Sequence, residues 1–145
     1  MSVALLDVNV LVALVWPAHE SHRKVQNWFQ QYAKAGWATC PMTQAALVRI
    51  VSNPAFSPNA VSASDAIGLL KTNVEHPWHR FWRDEIGFVE AAQAFAGRII
   101  GHQQVTAAYL LGLAVHKKGK LVTLDRGVRS LAGAAMMERG VVEIL

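Results

Sequence analysis

Two apolar runs in the chain each end in an aspartate: Val3-Ala4-Leu5-Leu6-Asp7 near the start and Leu121-Val122-Thr123-Leu124-Asp125 near the end. A carboxylate that follows such a run falls at the C-terminal edge of a buried parallel sheet, where open α/β folds hold their ligands. If the two strands are neighbours, two segments far apart in sequence bring their carboxylates together. Paired carboxylates on a rigid edge are a natural seat for a hard divalent cation. Asn9 and Thr123 are polar neighbours able to orient waters there. Each aspartate alone also has a plainer role open to it. Asp7 can cap a helix beginning at Val8, and Asp125 can serve the turn before Arg126-Gly127.

The elements that must carry these residues are legible from periodicity. Residues 3–7 read as a buried strand and Val8 to Val15 as a helix stopped by Trp16-Pro17. Ser21 to Lys34 is amphipathic, with Val25, Trp28, Phe29 and Tyr32 on one face and Gly36 as its C-cap. Trp37 to Cys40 reads as a strand broken by Pro41. Thr43 is then the expected N-cap of a helix carrying Ala46, Leu47, Ile50 and Val51 and ending at Asn53-Pro54. Residues 54–61 form a loop, and Ser62 or Ser64 caps a helix running to about Asn73. A strand is expected at 79–83, helices at Phe88–Phe95 and Gln103–Lys117, and a strand at Leu121–Leu124. A short helical turn at Gly127–Leu131 and a last strand at Val141–Leu145 complete the chain. Strands alternating with helices predict an α/β fold with a mostly parallel sheet.

The chain has 145 residues, the size of one domain, and 52% of them are hydrophobic, enough for a sizeable core. No apolar run approaches the ~20 residues of a membrane span, and the N-terminus lacks a basic leader. With one cysteine, Cys40, there is no internal disulfide, and a reducing cytoplasm is the expected compartment. The formal net charge is +4. Arg98, Lys117, Lys118, Lys120, Arg126, Arg129 and Arg139 give the last third a basic bias, either a solvated face or a footprint for phosphates. The His19/His22 and His76/His79 pairs have helical spacing but no convergent further ligands for zinc. Trp16, Trp28 and Trp37 are expected to pack the core.

Four segments, in order, resemble the PIN-domain ribonucleases, and in particular the VapC-type toxins of toxin–antitoxin pairs. Leu5-Leu6-Asp7-Val8-Asn9-Val10-Leu11 is similar to the opening of that family. Thr43 to Ile50 with Asn53-Pro54 resembles its third helix, Gln104 to Leu110 its T-D-A-Y-L helix, and Thr123-Leu124-Asp125-Arg126-Gly127 its closing acidic motif. The resemblance covers nearly the whole chain. It implies a PIN-like three-layer α/β/α domain, a Mg²⁺- or Mn²⁺-dependent endoribonuclease, an RNA substrate, a cognate antitoxin and a homodimer. The antitoxin tail would lie in an apolar groove of the N-terminal helices. By the same resemblance the metal acids are Asp7 and Asp125, with Gln44 and position 107 completing the outline and Asn9, Arg49, Thr123 and Arg126 serving the substrate.

Two positions depart from the pattern. Gln44 stands where the family often has glutamate; an amide oxygen can ligate but carries no charge. Ala107 stands where the family has aspartate and offers no ligand. The expected consequence is weak metal binding and poor cleavage. An engineered loss and a natural one both fit, and the intact surroundings from Gln104 to Leu110 favour the first. The alternatives are a catalytically dead module that binds RNA or antitoxin, and a haloacid-dehalogenase-like phosphatase. The latter needs a second aspartate where this chain has Asn9.

Overall fold

In the computed structural model, which describes residues 2–145, β1 (Ala4–Leu6) is buried on both sides, so it must lie inside a sheet covered on two faces. It is joined by β2 (Trp37–Thr39), β3 (His79–Phe81), β4 (Lys120–Thr123) and β5 (Val142–Ile144). The sheet order is β3-β2-β1-β4-β5, and every pairing is parallel. Leu5 and Leu121 point to one face; Ala4, Leu6 and Val122 point to the other.

Among the described residues, eight α-helices cover those faces. Helices α1 (Val8–Val15), α2 (His22–Tyr32), α3 (Pro41–Val51) and α4 (Ala63–Val74) pack with Leu6 and Val122. Helices α5 (Phe88–Ala92), α6 (Val105–His116) and α7 (Val128–Ala132) pack with Leu5 and Leu121, and the short α8 (Ala134–Glu138) leads into β5. The result is the expected three-layer α/β/α architecture. α5 and α6 approach so closely that a Cβ on Gly112 would fall 2.0 Å from the Ala91 carbonyl oxygen.

Several local expectations need correction. Pro41 does not merely end β2; it opens α3 at a first-turn position where its missing N–H is no loss. The N-cap is therefore Cys40, not Thr43. Thr43 lies three residues inside, where its hydroxyl oxygen accepts from the Cys40 N–H at 3.0 Å. Ser62, not Ser64, caps α4, accepting from the Asp65 N–H at 3.0 Å. The 88–95 helix is shorter than its pattern and passes into a 3₁₀ segment at Gln93–Arg98, and α6 is preceded by a 3₁₀ turn at His102–Gln104. α8 had no expectation. Trp28 and Trp37 are buried as expected; Trp16 is half-buried and stacks edge-on with Phe56, ring centres 5.2 Å apart.

Candidate active site

β1, β2 and β3 extend the sheet in one direction and β4 and β5 in the other, so the chain changes direction between β1 and β4. A crevice opens at such a switch point, outside the C-terminal ends of the strands. Leu6 pairs with Val122, which places Asp7 opposite Thr123 and near Asp125 two residues on. The two acids are brought together as their positions in the sequence demanded.

Asp7 is almost fully buried, 7% exposed. Its Oδ1 accepts from the Val8 N–H at 2.7 Å, so it does cap α1. Its Oδ2 accepts from the Thr123 hydroxyl at 2.8 Å. Burial pushes the Asp7 carboxyl above its ordinary range; the two hydrogen bonds pull it down, and the nearby charge of Asp125 raises it again. Asp125 is exposed. Its Oδ1 accepts from the Gly127 N–H at 2.8 Å, and its own N–H donates to Thr123 Oγ1 at 3.0 Å. Asn9 Oδ1 accepts from the Leu124 N–H at 3.0 Å, and its amide nitrogen lies 3.3 Å from Thr123 Oγ1. The buried Thr123 hydroxyl therefore links both strand ends to α1.

These groups open into a pocket of about 300 Å³. Its walls are Asp7 and Asn9 from the β1–α1 junction, Met42, Ala46 and Arg49 from α3, Gln103 from the 3₁₀ turn before α6, Thr106 and Ala107 from the start of α6, and Asp125. Ala107 is thus where the sequence put it, its methyl 7% exposed at the wall. Gln103 and Thr106 were not anticipated. The signal for Gln103 was available, since it lies four residues, about one turn, before Ala107; Thr106, next to Ala107 and offset by about 100°, carried none. Gln44 is not brought to this pocket. It lies midway between Met42 and Ala46, off the face that carries Met42, Ala46 and Arg49, and its Nε2 donates to Thr39 Oγ1 at 3.0 Å. Arg126 follows Asp125 on the exposed surface and does not line the pocket.

Among the described residues neither carboxylate is ion-paired, and Arg49, the one cation in the wall, has no carboxylate partner. Two carboxylates sharing a pocket with neither ion-paired fit a divalent cation. Mg²⁺ needs only one or two direct carboxylates because it keeps several waters. The donor set is thin all the same, since no group of three or more His, Cys, Asp or Glu converges among the described residues.

The remaining sequence candidates have structural roles. His19 Nδ1 accepts from the Ser21 N–H at 3.0 Å, His22 Nδ1 lies 2.7 Å from the Ala13 carbonyl, and His76 Nδ1 accepts from the Trp78 N–H at 3.2 Å. The basic last third does not ring the pocket. Lys120 opens β4 and Lys117 and Lys118 precede it, so all three lie toward the opposite, N-terminal edge of the sheet. A second pocket of about 410 Å³, lined by Leu14, Phe29, Trp37, Asn73 and His76 among others, lies among α1, α2 and α4. No described helix is long and apolar enough to cross a membrane.

No family model matches the chain. Curated relatives do. It is 43% identical over 129 residues to Ribonuclease VapC38 of Mycobacterium tuberculosis, spanning 89% of each protein. It is 38% identical over 135 residues to Ribonuclease VapC39 of the same species, spanning 93% of this chain and 97% of the relative. Ribonuclease VapC29 is 41% identical over 129 residues, spanning 89% and 90%. Among solved structures, the fold is similar to a chain of VapBC2 from Rickettsia felis bound to a DNA fragment from their promoter. The TM-score is 0.63 at 15% identity, covering 99% of this chain and 98% of that one. It is also similar to a chain of FitAcB from Neisseria gonorrhoeae, with a TM-score of 0.59 at 19% identity over 88% and 90%. At these identities the structural likeness is one of fold.

Proposed function

The chain belongs to the VapC ribonuclease family, and on that premise we propose that it is the toxin half of a toxin–antitoxin pair, an endoribonuclease whose site is the Asp7–Asp125 pocket. The observation that carries the reading is the convergence of two carboxylates, 118 positions apart in sequence, in one pocket, neither of them ion-paired among the described residues.

Asp7 and Asp125 would hold Mg²⁺ or Mn²⁺. Bound there, the ion supplies an activated water and charge stabilisation for in-line displacement at a phosphodiester. The protein's own part is positional. Thr123 fixes the Asp7 carboxylate by donating to Oδ2, and Asn9 locks the β4 end that carries Asp125. Arg49 faces the same space and is placed to meet a substrate phosphate, with Gln103 and Thr106 offering neutral hydrogen-bonding groups beside it. Arg126 is a phosphate contact on the outer rim. Gln44 acts only indirectly, through Thr39.

Ala107 leaves the pocket one carboxylate short of the family pattern, so this chain binds metal weakly and cleaves poorly. Its buried methyl is also what favours the second reading, a module that binds RNA or antitoxin without cutting. Family membership leaves no role for the phosphatase alternative. A cognate antitoxin and a homodimer complete the reading, and the pocket among α1, α2 and α4, apolar at Leu14, Phe29 and Trp37 with polar side chains around them, suits an antitoxin segment.

The test is Ala107→Asp. We expect Mg²⁺-dependent RNA cleavage to rise by orders of magnitude over the chain as it stands, with EDTA abolishing it. A folded Ala107→Asp protein that gains neither Mg²⁺ affinity nor cleavage would sink the nuclease reading and leave the binding module.

A further inference from the structure

The cations of the last third fall into distinct groups once their partners are known. Arg98 donates to the Leu131 and Ala132 carbonyls at 2.8 and 3.1 Å, closing the end of α7. Lys117 pairs with Glu85 at 3.0 Å and Lys120 pairs with Glu143. Arg126 and Arg129 follow β4 on the edge that holds the acids. Lys118 and Arg139 remain, and both line a pocket of about 270 Å³ at the other edge, together with Ser2, Val115, Gly119, Gly140 and Val141. Among the described residues neither has a carboxylate within ion-pairing distance, and the one side-chain partner of Arg139 is Met136 Sδ at 3.8 Å.

The backbone at Lys118 adds a second observation. Its φ is 56°, the only positive φ at a non-glycine residue among those described. It occupies the left-handed position just past the end of α6, where glycine is the favoured residue. A lysine there complements the helix C-terminus, but the backbone would be easier with glycine. Keeping a side chain at that cost fits one whose charge is used. Two unpartnered cations of different geometry beside an open backbone, next to a glycine where a Cβ would meet nothing within 4 Å, suit a phosphate group.

We propose that the Lys118–Arg139 pocket is a second RNA-contact site, taking a backbone phosphate of the same folded RNA whose scissile bond lies at the acidic pocket. The proposal rests on the ribonuclease reading above. The acidic pocket touches the first turn of α6 and the basic pocket lies just past its last, so they stand roughly 18 Å apart, the length of this 12-residue helix. A tetranucleotide centred on the acids falls short of that distance on either side; a base-paired RNA spans it.

The Ala107 chain as it stands permits the measurement, because weak cleavage lets binding be read directly. Fluorescence anisotropy would compare an RNA hairpin of about 20 base pairs with a tetranucleotide, over a range of salt, for the parent and for Lys118→Gly/Arg139→Gln. Glycine suits the Lys118 backbone, so a thermal melt of the variant should match or exceed the parent. We expect hairpin affinity to fall about tenfold at low salt, the slope of log K against log salt to flatten by about 1, and tetranucleotide affinity to hold. Unchanged hairpin affinity and slope would overturn the second site while leaving the nuclease reading intact. Equal losses for both RNAs would overturn it as well, showing a general charge effect. A parent chain that binds neither RNA would overturn the ribonuclease reading and this inference together.

Discussion

The Thr123 hydroxyl lies 2.8 Å from Asp7 Oδ2 across the β1–β4 seam, and the same oxygen receives the Asp125 backbone N–H at 3.0 Å. One buried atom therefore sets the direction of one carboxylate and the backbone of the other. Thr123→Val keeps the shape and removes the hydroxyl, leaving Asp7 Oδ2 and the Asp125 N–H without their partner. The expected cost is about 1–3 kcal/mol in urea unfolding, with Mg²⁺ affinity reduced by calorimetry. Thr123→Ser should recover most of both. Equal stability for the valine and serine variants would show that the hydroxyl does not organise the seam.

Asp7 weakens the fold it serves. Its carboxyl is held above the ordinary value of 3.8, chiefly by burial. A raised carboxyl gives stability that is fully present below the unfolded-state value and is lost as pH rises through the folded one. At neutral pH the ionised group therefore opposes folding. Asp7→Asn should raise Tm at pH 7 by roughly 3 °C in the absence of metal. Mg²⁺ should raise the Tm of the parent and leave the variant unmoved. A variant that melts lower than the parent at pH 7, yet higher at pH 4, would contradict this sign.

His79 works in the opposite sense. It lies 2.7 Å from Thr39 Oγ1, which also accepts from Gln44, and burial holds its imidazole below the ordinary 6.5, with Arg80 and His76 opposing a further charge. A histidine with a lowered pKa stabilises above its unfolded value, and that contribution is lost as pH falls from about 6.5 through the folded one. Stability should therefore decline on acidification below pH 6.5. His79→Gln should flatten that slope in urea melts recorded from pH 7.5 to 5. An unchanged slope would place the titration elsewhere.

The acid pair was legible because two physical signals coincide at each member, an apolar run and the polar residue that ends it. Register then did the rest, since Leu6 opposite Val122 leaves no other place for Asp7. Gln44 misled because family likeness ranks residues along a line, whereas a helix sorts them by angle. Arg49 is seven residues past Met42 and shares its face; Gln44 is two past it and does not. Pro41 is ambiguous in the sequence because the same missing N–H that ends a strand also suits the first turn of a helix. α8 escaped notice because a five-residue stretch of alanine, methionine and glutamate has no room for a period. The Lys118–Arg139 pocket was not legible at all, because it depends on which neighbouring cations are already neutralised.

The seam between the first strand and the fourth also orders events during synthesis. Asp7 is synthesised 118 positions ahead of Asp125, and β4, which pairs with β1, comes just before that second acid. Until then β1 lacks its β4 neighbour and the crevice has a single wall of acid. A polypeptide that stops short of β4 therefore carries one acid and half a crevice, and the two carboxylates meet only in chains that have passed Asp125.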